Sequence, residues 1–319
     1  QIFRFSLGET DYQLGATDYE RFAAEYAFFG RSVWQQTLNL TDEEKTELIR
    51  LLQENYRPEN RVYRYNFFYD NCATRPRDKI EESIAGKVIY PAEPQDGSLT
   101  FRDIVHQYCK GHPWARFGID LCIGSEADQP ITQRQMMFAP FYLMDAFDGA
   151  QIKGDSIQRP LITANELIVD ATPEPDESDW MPTPLQCSLL LFILTAAATI
   201  YGIRRRTGLW GIDLFLFGIA GIVGCVLAFL ALFSQHPAVS SNFLLLVFHP
   251  GQLLFLPYII YCVRKGKKCW YLTLNLAVLT LFIVLFPVIP QRFDFAVVPL
   301  ALVLLIRSAS NLIVTSKKK

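Results

Sequence analysis

Leu209-Trp210-Gly211-Ile212-Asp213-Leu214-Phe215-Leu216-Phe217 opens a run that continues to Phe233 with one charged side chain, Asp213. A helix of about 20 apolar residues spans a bilayer core of roughly 30 Å. Four more stretches of this kind flank it: Leu185–Ile203, Ser241–Val263, Trp270–Ile289 and Phe295–Val314. Residues 185–319 are therefore expected to form an all-α bundle of five transmembrane helices. His249-Pro250-Gly251 interrupts the third stretch, and a proline there removes a helical hydrogen bond and kinks or breaks the span.

The separators between the stretches set the orientation. Arg204, Arg205 and Arg206 follow the first; Arg264, Lys265, Lys267 and Lys268 follow the third; Lys317, Lys318 and Lys319 follow the fifth. Loops 234–240 and 290–294 contain one cation between them, Arg292. By the positive-inside rule the basic clusters are cytoplasmic. An odd number of spans then places residues 1–184 outside the cytoplasm. Asp213 and Arg307 fall at similar depth, which reads as an ion pair or a snorkelling arginine, with a lipid-headgroup contact as the functional alternative.

Half of the 319 residues are hydrophobic, and the net charge of −2 argues against a nucleic-acid partner. Most of the charge lies in residues 1–184. Residues 1–170 read as an α+β domain, with strands before and after a helical middle. Thr41-Asp42-Glu43-Glu44 is a capping box that opens a helix to about Asn55. Strands are expected within 1–17, at 32–37 and at 165–171, and helices at 18–29, 100–109, 113–123 and 138–148. Residues 171–184, with four prolines among acidic residues, read as a linker, and Trp180 as an interfacial anchor.

Tyr65-Asn66-Phe67-Phe68-Tyr69-Asp70-Asn71-Cys72 leads directly into a predicted helix. A helix start presents unpaired N–H groups and the positive end of the peptide dipoles, a setting in which thiolate nucleophiles and oxyanions are stabilised. Cys72 is the candidate nucleophile. Asp70, Asn71 and Arg75 surround it with polar groups, which disfavours the competing reading of an inert core cysteine. Pro76 removes the N–H that would bond to the Cys72 carbonyl and loosens that turn.

A thiol nucleophile ordinarily works with a histidine. Of four histidines, His106 and His112 belong to the outside half, His236 to an outer loop and His249 to the third span. His112 and His236 are weak base candidates. Their competing readings are a partly buried structural histidine and a turn residue. Carboxylates of the Asp120 and Asp128 segment either orient a histidine or cap helices. The seven cysteines show no metal-ligand spacing, so neither a metal nor a cofactor is expected. Cys109 and Cys122 are one possible disulfide pair on an oxidising side.

Several stretches resemble one family. They are Gly30-Arg31-Ser32-Val33, Gln36 to Thr41, Asn55 to Asn60, Tyr65 to Arg75, Pro113-Trp114, Phe117 to Leu121, and Gly124. They look like the Lnb family, membrane proteins typified in Bacteroidota that act as apolipoprotein N-acyltransferases. The resemblance implies an outside domain of papain/NlpC-P60-like type and carries the family nucleophile onto Cys72. Tyr65, Asn66, Asp70, Asn71 and Arg75 are then support or substrate-positioning residues. The family histidine lies in a Phe-Gly-His motif upstream of the stretch matching Gln1, so it carries over to no residue here. The missing motif is read as an N-terminally truncated chain, with a copy that has lost its base as the alternative.

The implied reaction moves a fatty acyl chain from a membrane phospholipid to the α-amine of a diacylglyceryl-cysteine lipoprotein. The implied location is the bacterial inner membrane, with residues 1–184 periplasmic and the C-terminus cytoplasmic. Two other readings stay open: a membrane-anchored thiol hydrolase, either a peptidoglycan amidase or a lipid esterase, and a non-catalytic membrane protein.

Overall fold

The computed structural model describes residues 8–91, 99–154, 158–171 and 181–316. Most of the expected linker, Trp180, the first residues of the expected N-terminal strands, and Lys317 to Lys319 lie outside the described residues. In chain order the elements are β1 (Asp11–Gln13), α1 (Tyr19–Phe28), β2 (Val33–Leu38), α2 (Asp42–Tyr56), β3 (Val62–Arg64) and α3 (Thr74–Ser83). There follow β4 (Lys87–Ile89), α4 (Phe101–Tyr108), α5 (Pro113–Cys122), α6 (Gln133–Met136) and α7 (Pro140–Asp148). The extramembrane half closes with β5 (Gln151–Lys153), β6 (Gln158–Pro160) and β7 (Ile162–Val169). The apolar half holds α8 (Pro184–Arg205), α9 (Trp210–Phe233), α10 (Gly251–Leu254), α11 (Leu256–Lys265), α12 (Trp270–Leu285) and α13 (Val297–Ser316).

Two compact units divide the chain: residues 1–104 with 130–176, and residues 105–129 with 177–319. The boundary thus falls inside α4. Residues 105–129, expected within the outside domain, cluster with the membrane helices.

The first unit mixes helices with three small antiparallel sheets, ordered β1-β3, β2-β7 and β4-β5-β6. The β2-β7 pair joins the strands expected at 32–37 and 165–171, with Gln35 opposite Glu166. The capping box forms as expected: the Glu44 N–H donates to Thr41 Oγ1, and Glu44 Oε2 accepts from the Thr41 N–H at 2.9 Å. Glu44 is buried, because it also accepts from Arg159 Nη2 at 2.5 Å and from the Ala85 N–H at 3.2 Å. One core packs Leu40, Ile84, Phe147, Ala150, Ile152 and Leu161. An aromatic cluster joins Phe68 to Phe101 and Phe138, with ring centroids 4.3 and 5.1 Å apart. Burying each such ring contributes about 1.5–3 kcal/mol.

In the second unit, α8, α9 and α13 are each long and apolar enough to cross a membrane. The pair α11 and α12 passes the same test together but bends by 111°, so the described residues hold three candidate spans, or four if the bent pair is one. The expected third helix is not continuous. It breaks into a 3-10 turn at Phe243–Leu246, α10 and α11. Pro250 and Pro257 each withhold a donor from the helical ladder, which accounts for the breaks. Gly224 lets α9 approach this broken segment: a Cβ there would lie 2.4 Å from the His249 nitrogen.

Arg307 of α13 and Asp213 of α9, each 2% exposed, pair through two contacts of 2.7 and 3.0 Å. Thr199 of α8 accepts a third bond from the guanidinium, so three helices share one buried charge pair. The snorkelling alternative does not hold, since the guanidinium faces the bundle interior.

Residues 105–129 are stitched to the loops of this bundle. Asn242 Nδ2 donates to the Leu121 carbonyl at 2.7 Å, Gln291 Nε2 to the Ile123 carbonyl, and the Gly124 N–H to the Ala238 carbonyl. Arg292 pairs with Asp128 at 3.1 Å.

Candidate functional site

The chain enters the Cys72 region through β3, which pairs with β1 so that Tyr12 faces Tyr63. Beyond β3 the backbone closes a tight turn, in which Asn66 and Asp70 exchange N–H to carbonyl bonds of 2.9 Å in both directions. Asn66 Oδ1 also accepts from the Phe68 N–H inside the turn.

Asn71 then caps the helix. Its buried Oδ1 accepts from the N–H groups of Ala73 at 2.8 Å and Thr74 at 3.0 Å. Its Nδ2 donates to the carbonyls of Phe67 and Phe138, both at 2.9 Å. Two acceptances and two donations fill the capacity of an asparagine side chain. Asn71 is therefore the functional N-cap, and Cys72 stands one residue into the turn with its side chain exposed. The expectation of several open first-turn N–H groups is corrected here. Ala73 and Thr74 are occupied by Asn71 Oδ1, and the Arg75 N–H bonds to the Asn71 carbonyl, which leaves the N–H of Cys72 itself.

Arg75 reaches back to Asp70 through two bonds of 2.7 Å, a bidentate arrangement that fixes both side chains. The same guanidinium lies 3.6 Å above the ring centroid of Tyr63. Tyr65 stacks on Tyr12 with centroids 4.2 Å apart. Burial pushes the Tyr65 phenol well above its usual range, and the adjacent Cys72 adds to that push. Tyr63 is raised by burial too, with Arg75 opposing and Cys72 reinforcing. Both phenols accordingly stay protonated beside the thiol and present O–H donors at neutral pH.

The structure thus brings Tyr65, Asn66, Asp70, Asn71 and Arg75 together around Cys72. Tyr12 and Tyr63 join them, neither of which was singled out in the sequence. Their signal was the β1-β3 pairing, which a run of three residues per strand does not announce.

His112 and His236, the base candidates, belong to the second unit, and Cys72 to the first. All four histidines of the chain belong to the second unit. One of them has a carboxylate partner that sequence spacing did not single out: His106 Nε2 lies 2.8 and 3.0 Å from the two oxygens of Asp120. Asp120 is buried, and the α4–α5 turn at Gly111, with φ of 84°, folds the two helices so that residues 14 apart meet. Asp120 orients a histidine, as one of the two readings of that segment expected. Cys109 lies nearby, its thiol raised by burial and by the Asp120 charge, which disfavours it as a nucleophile. Cys109 and Cys122 are both free thiols, as are the other five cysteines. Among the described residues no group of His, Cys, Asp or Glu has the arrangement of a metal site.

Residues 1–106 match the Lnb N-terminal periplasmic domain, and residues 176–319 match the Lnb transmembrane domain. The chain belongs to the Lnb family. No curated protein and no solved structure matches it. Membership makes it a membrane protein with a periplasmic segment and a helical transmembrane domain, in a family associated with lipoprotein modification. Cys72 and its whole polar surround fall within the part of this Lnb chain that matches the periplasmic domain. Asp120 falls in the stretch that neither Lnb domain covers.

Proposed function

We propose that this Lnb protein is a lipoprotein N-acyltransferase that works through a Cys72 thioester. The observation that carries the reading is the placement of Cys72: an exposed thiol at the start of a helix capped by a fully bonded Asn71, in the periplasmic domain of a membrane protein. An inert structural cysteine is buried, and this one is not.

The reaction has two halves. The Cys72 thiolate attacks the carbonyl carbon of a phospholipid ester; a C–S bond forms, the C–O bond breaks, and the lysophospholipid oxygen leaves with the proton that the thiol gave up. The α-amine of a diacylglyceryl-cysteine lipoprotein then attacks the thioester; a C–N bond forms, the C–S bond breaks, and the amine proton returns to the sulfur. Splitting the transfer in this way replaces one difficult step with two easier ones. The N–H of Cys72 and the protonated Tyr65 phenol are the donors suited to the oxyanion of each tetrahedral intermediate. Arg75, held by Asp70 and Tyr63, supplies a fixed cation for a lipid phosphate. Asn66 and Asn71 act through the backbone, by holding the turn that carries the thiol.

In this reading the membrane is the bacterial inner membrane, crossed five times, with residues 1–184 periplasmic and the C-terminus cytoplasmic. The distribution of Arg and Lys between the loops supports that orientation, and the papain/NlpC-P60-like scaffold is part of the same proposal. Intact-mass spectrometry of a lipoprotein co-expressed with the enzyme tests it. One added acyl mass on the amine, lost with Cys72→Ala, is the expected result. An unmodified lipoprotein beside folded, membrane-inserted enzyme would overturn it.

A further inference from the structure

The second unit contains an apolar cleft of about 170 Å³, and none of its lining residues belongs to the Cys72 cluster. Helix α5 forms its roof with Phe117 and Leu121, and its floor is Leu216 and Ala220 of α9 with Val303 and Leu304 of α13. The floor side chains are almost completely covered; Val303 is 2% exposed and Leu304 3%. On the open side stand Phe215 and Ile219, which also line the cleft and face outward from α9, 62% and 47% exposed. Helix α9 is long and apolar enough to cross a membrane, so in a bilayer this open side would meet hydrocarbon rather than water.

We propose that this cleft holds one acyl chain of a membrane glycerophospholipid. Size supports the assignment. A cavity of about 150 Å³ walled by Leu, Ile and Phe stays dry and takes a benzene-sized guest, so the cleft encloses a stretch of roughly six carbons. A helix, about 10 Å across with its side chains, does not fit.

The roof is fixed by polar bonds rather than by apolar contact alone. Besides the Asn242 bond to the Leu121 carbonyl, Trp114 Nε1 donates to the Pro182 carbonyl at 2.9 Å. The cleft is therefore built before a ligand arrives, which lowers the ordering cost of binding. A charge stands beside the apolar roof. Arg116 precedes Phe117, its side chain is 45% exposed, and its guanidinium makes a long 3.5 Å contact with Asp294. A glycerophospholipid carries both an apolar chain for the cleft and an anionic phosphate for this guanidinium.

The site rests on the lipid surroundings of the second unit and is independent of acyl transfer at Cys72. The full chain, reconstituted in phosphatidylethanolamine vesicles doped with a phosphatidylethanolamine bearing a diazirine on one acyl chain, is irradiated and mapped by peptide mass spectrometry. Adducts are expected on Val303, Leu304 or Leu216, which bulk lipid does not reach, as well as on the lipid-facing Leu232 of α9.

Ala220→Phe fills the cleft and should lower the floor adducts at least tenfold while those on Leu232 persist. Val303→Phe fills it from the opposite wall and should do the same, which separates filling from misfolding of either variant. Arg116→Gln should weaken floor labelling by the phospholipid probe but not by an uncharged diacylglycerol probe. Floor adducts absent from the wild-type protein, or unchanged in both filled variants, overturn the acyl-chain site. Equal loss with both probes in Arg116→Gln overturns the phosphate contact.

Discussion

Asn71 donates its side-chain amide to the carbonyl of Phe138, 2.9 Å away and 67 residues along the chain. The same amide group bonds the Phe67 carbonyl, and its oxygen caps Ala73 and Thr74. One buried side chain therefore ties the Cys72 turn to a distant segment of the core. The thiol is exposed, but the residue before it is anchored as firmly as any core group.

Asn71→Ala leaves two N–H groups and two carbonyls without their partner in a buried setting. A loss of about 2–4 kcal/mol follows from the unsatisfied groups. Asn71→Asp should fare little better, since a carboxylate keeps the caps but turns an acceptor toward the Phe67 and Phe138 carbonyls. Thermal unfolding of both variants, with alkylation rates at Cys72, reads this out; wild-type stability in either would remove Asn71 as the anchor.

Cys72→Ser, by contrast, changes an exposed atom and should alter stability by less than about 0.5 kcal/mol. N-acylation of a lipoprotein should fall to background. A hydroxylamine-labile acyl adduct on the wild-type protein, absent from the variant, would be the matching signature of the thioester.

Arg75→Lys keeps the charge but loses the bidentate grip on Asp70 and most of the contact with the Tyr63 ring. Both side chains are partly exposed, so stability should drop by no more than about 1 kcal/mol. Acyl transfer should fall further than stability does. If activity and melting temperature decline in proportion, Arg75 serves only the fold.

Glu44 gives the first unit a defined acid limit. Burial pushes its carboxyl up, but bonds from the Thr41 N–H, Arg159 and the Ala85 N–H outweigh that and hold it below the ordinary glutamate range. A carboxyl depressed in the folded state stabilises above its unfolded pKa of about 4.3, and that contribution is lost as pH falls through the folded value. Glu44→Gln should therefore cost about 2 kcal/mol at pH 7, with the difference from wild type shrinking below about pH 4. Denaturant titrations across that range test the sign; a gap that widens in acid would contradict it.

Within the bundle, Arg307→Met strands the Asp213 carboxylate among three helices and should destabilise by about 3–5 kcal/mol. Removing both charges with Asp213→Asn and Arg307→Met should recover much of that loss. Detergent-dependent thermal melts of the single and double variants separate the pair from its individual members.

In the membrane half, the three long helices α8, α9 and α13 were legible in the sequence, because hydrocarbon admits only long apolar segments. How the third and fourth stretches break and bend emerged only in the fold. The capping box at Thr41, the β2 and β7 strands and the isolation of Cys72 among polar neighbours were also written locally, in patterns a few residues long. What the tertiary structure alone decided involves residues far apart in the chain. The Tyr12, Tyr63 and Tyr65 group depends on strand pairing across some 50 residues. The His106–Asp120 pair depends on how two helices fold about Gly111. The assignment of residues 105–129 to the membrane unit depends on bonds from Asn242, Gln291 and Arg292. Local spacing encodes which face of an element is apolar, whereas the partner that covers that face is selected only when the whole chain packs.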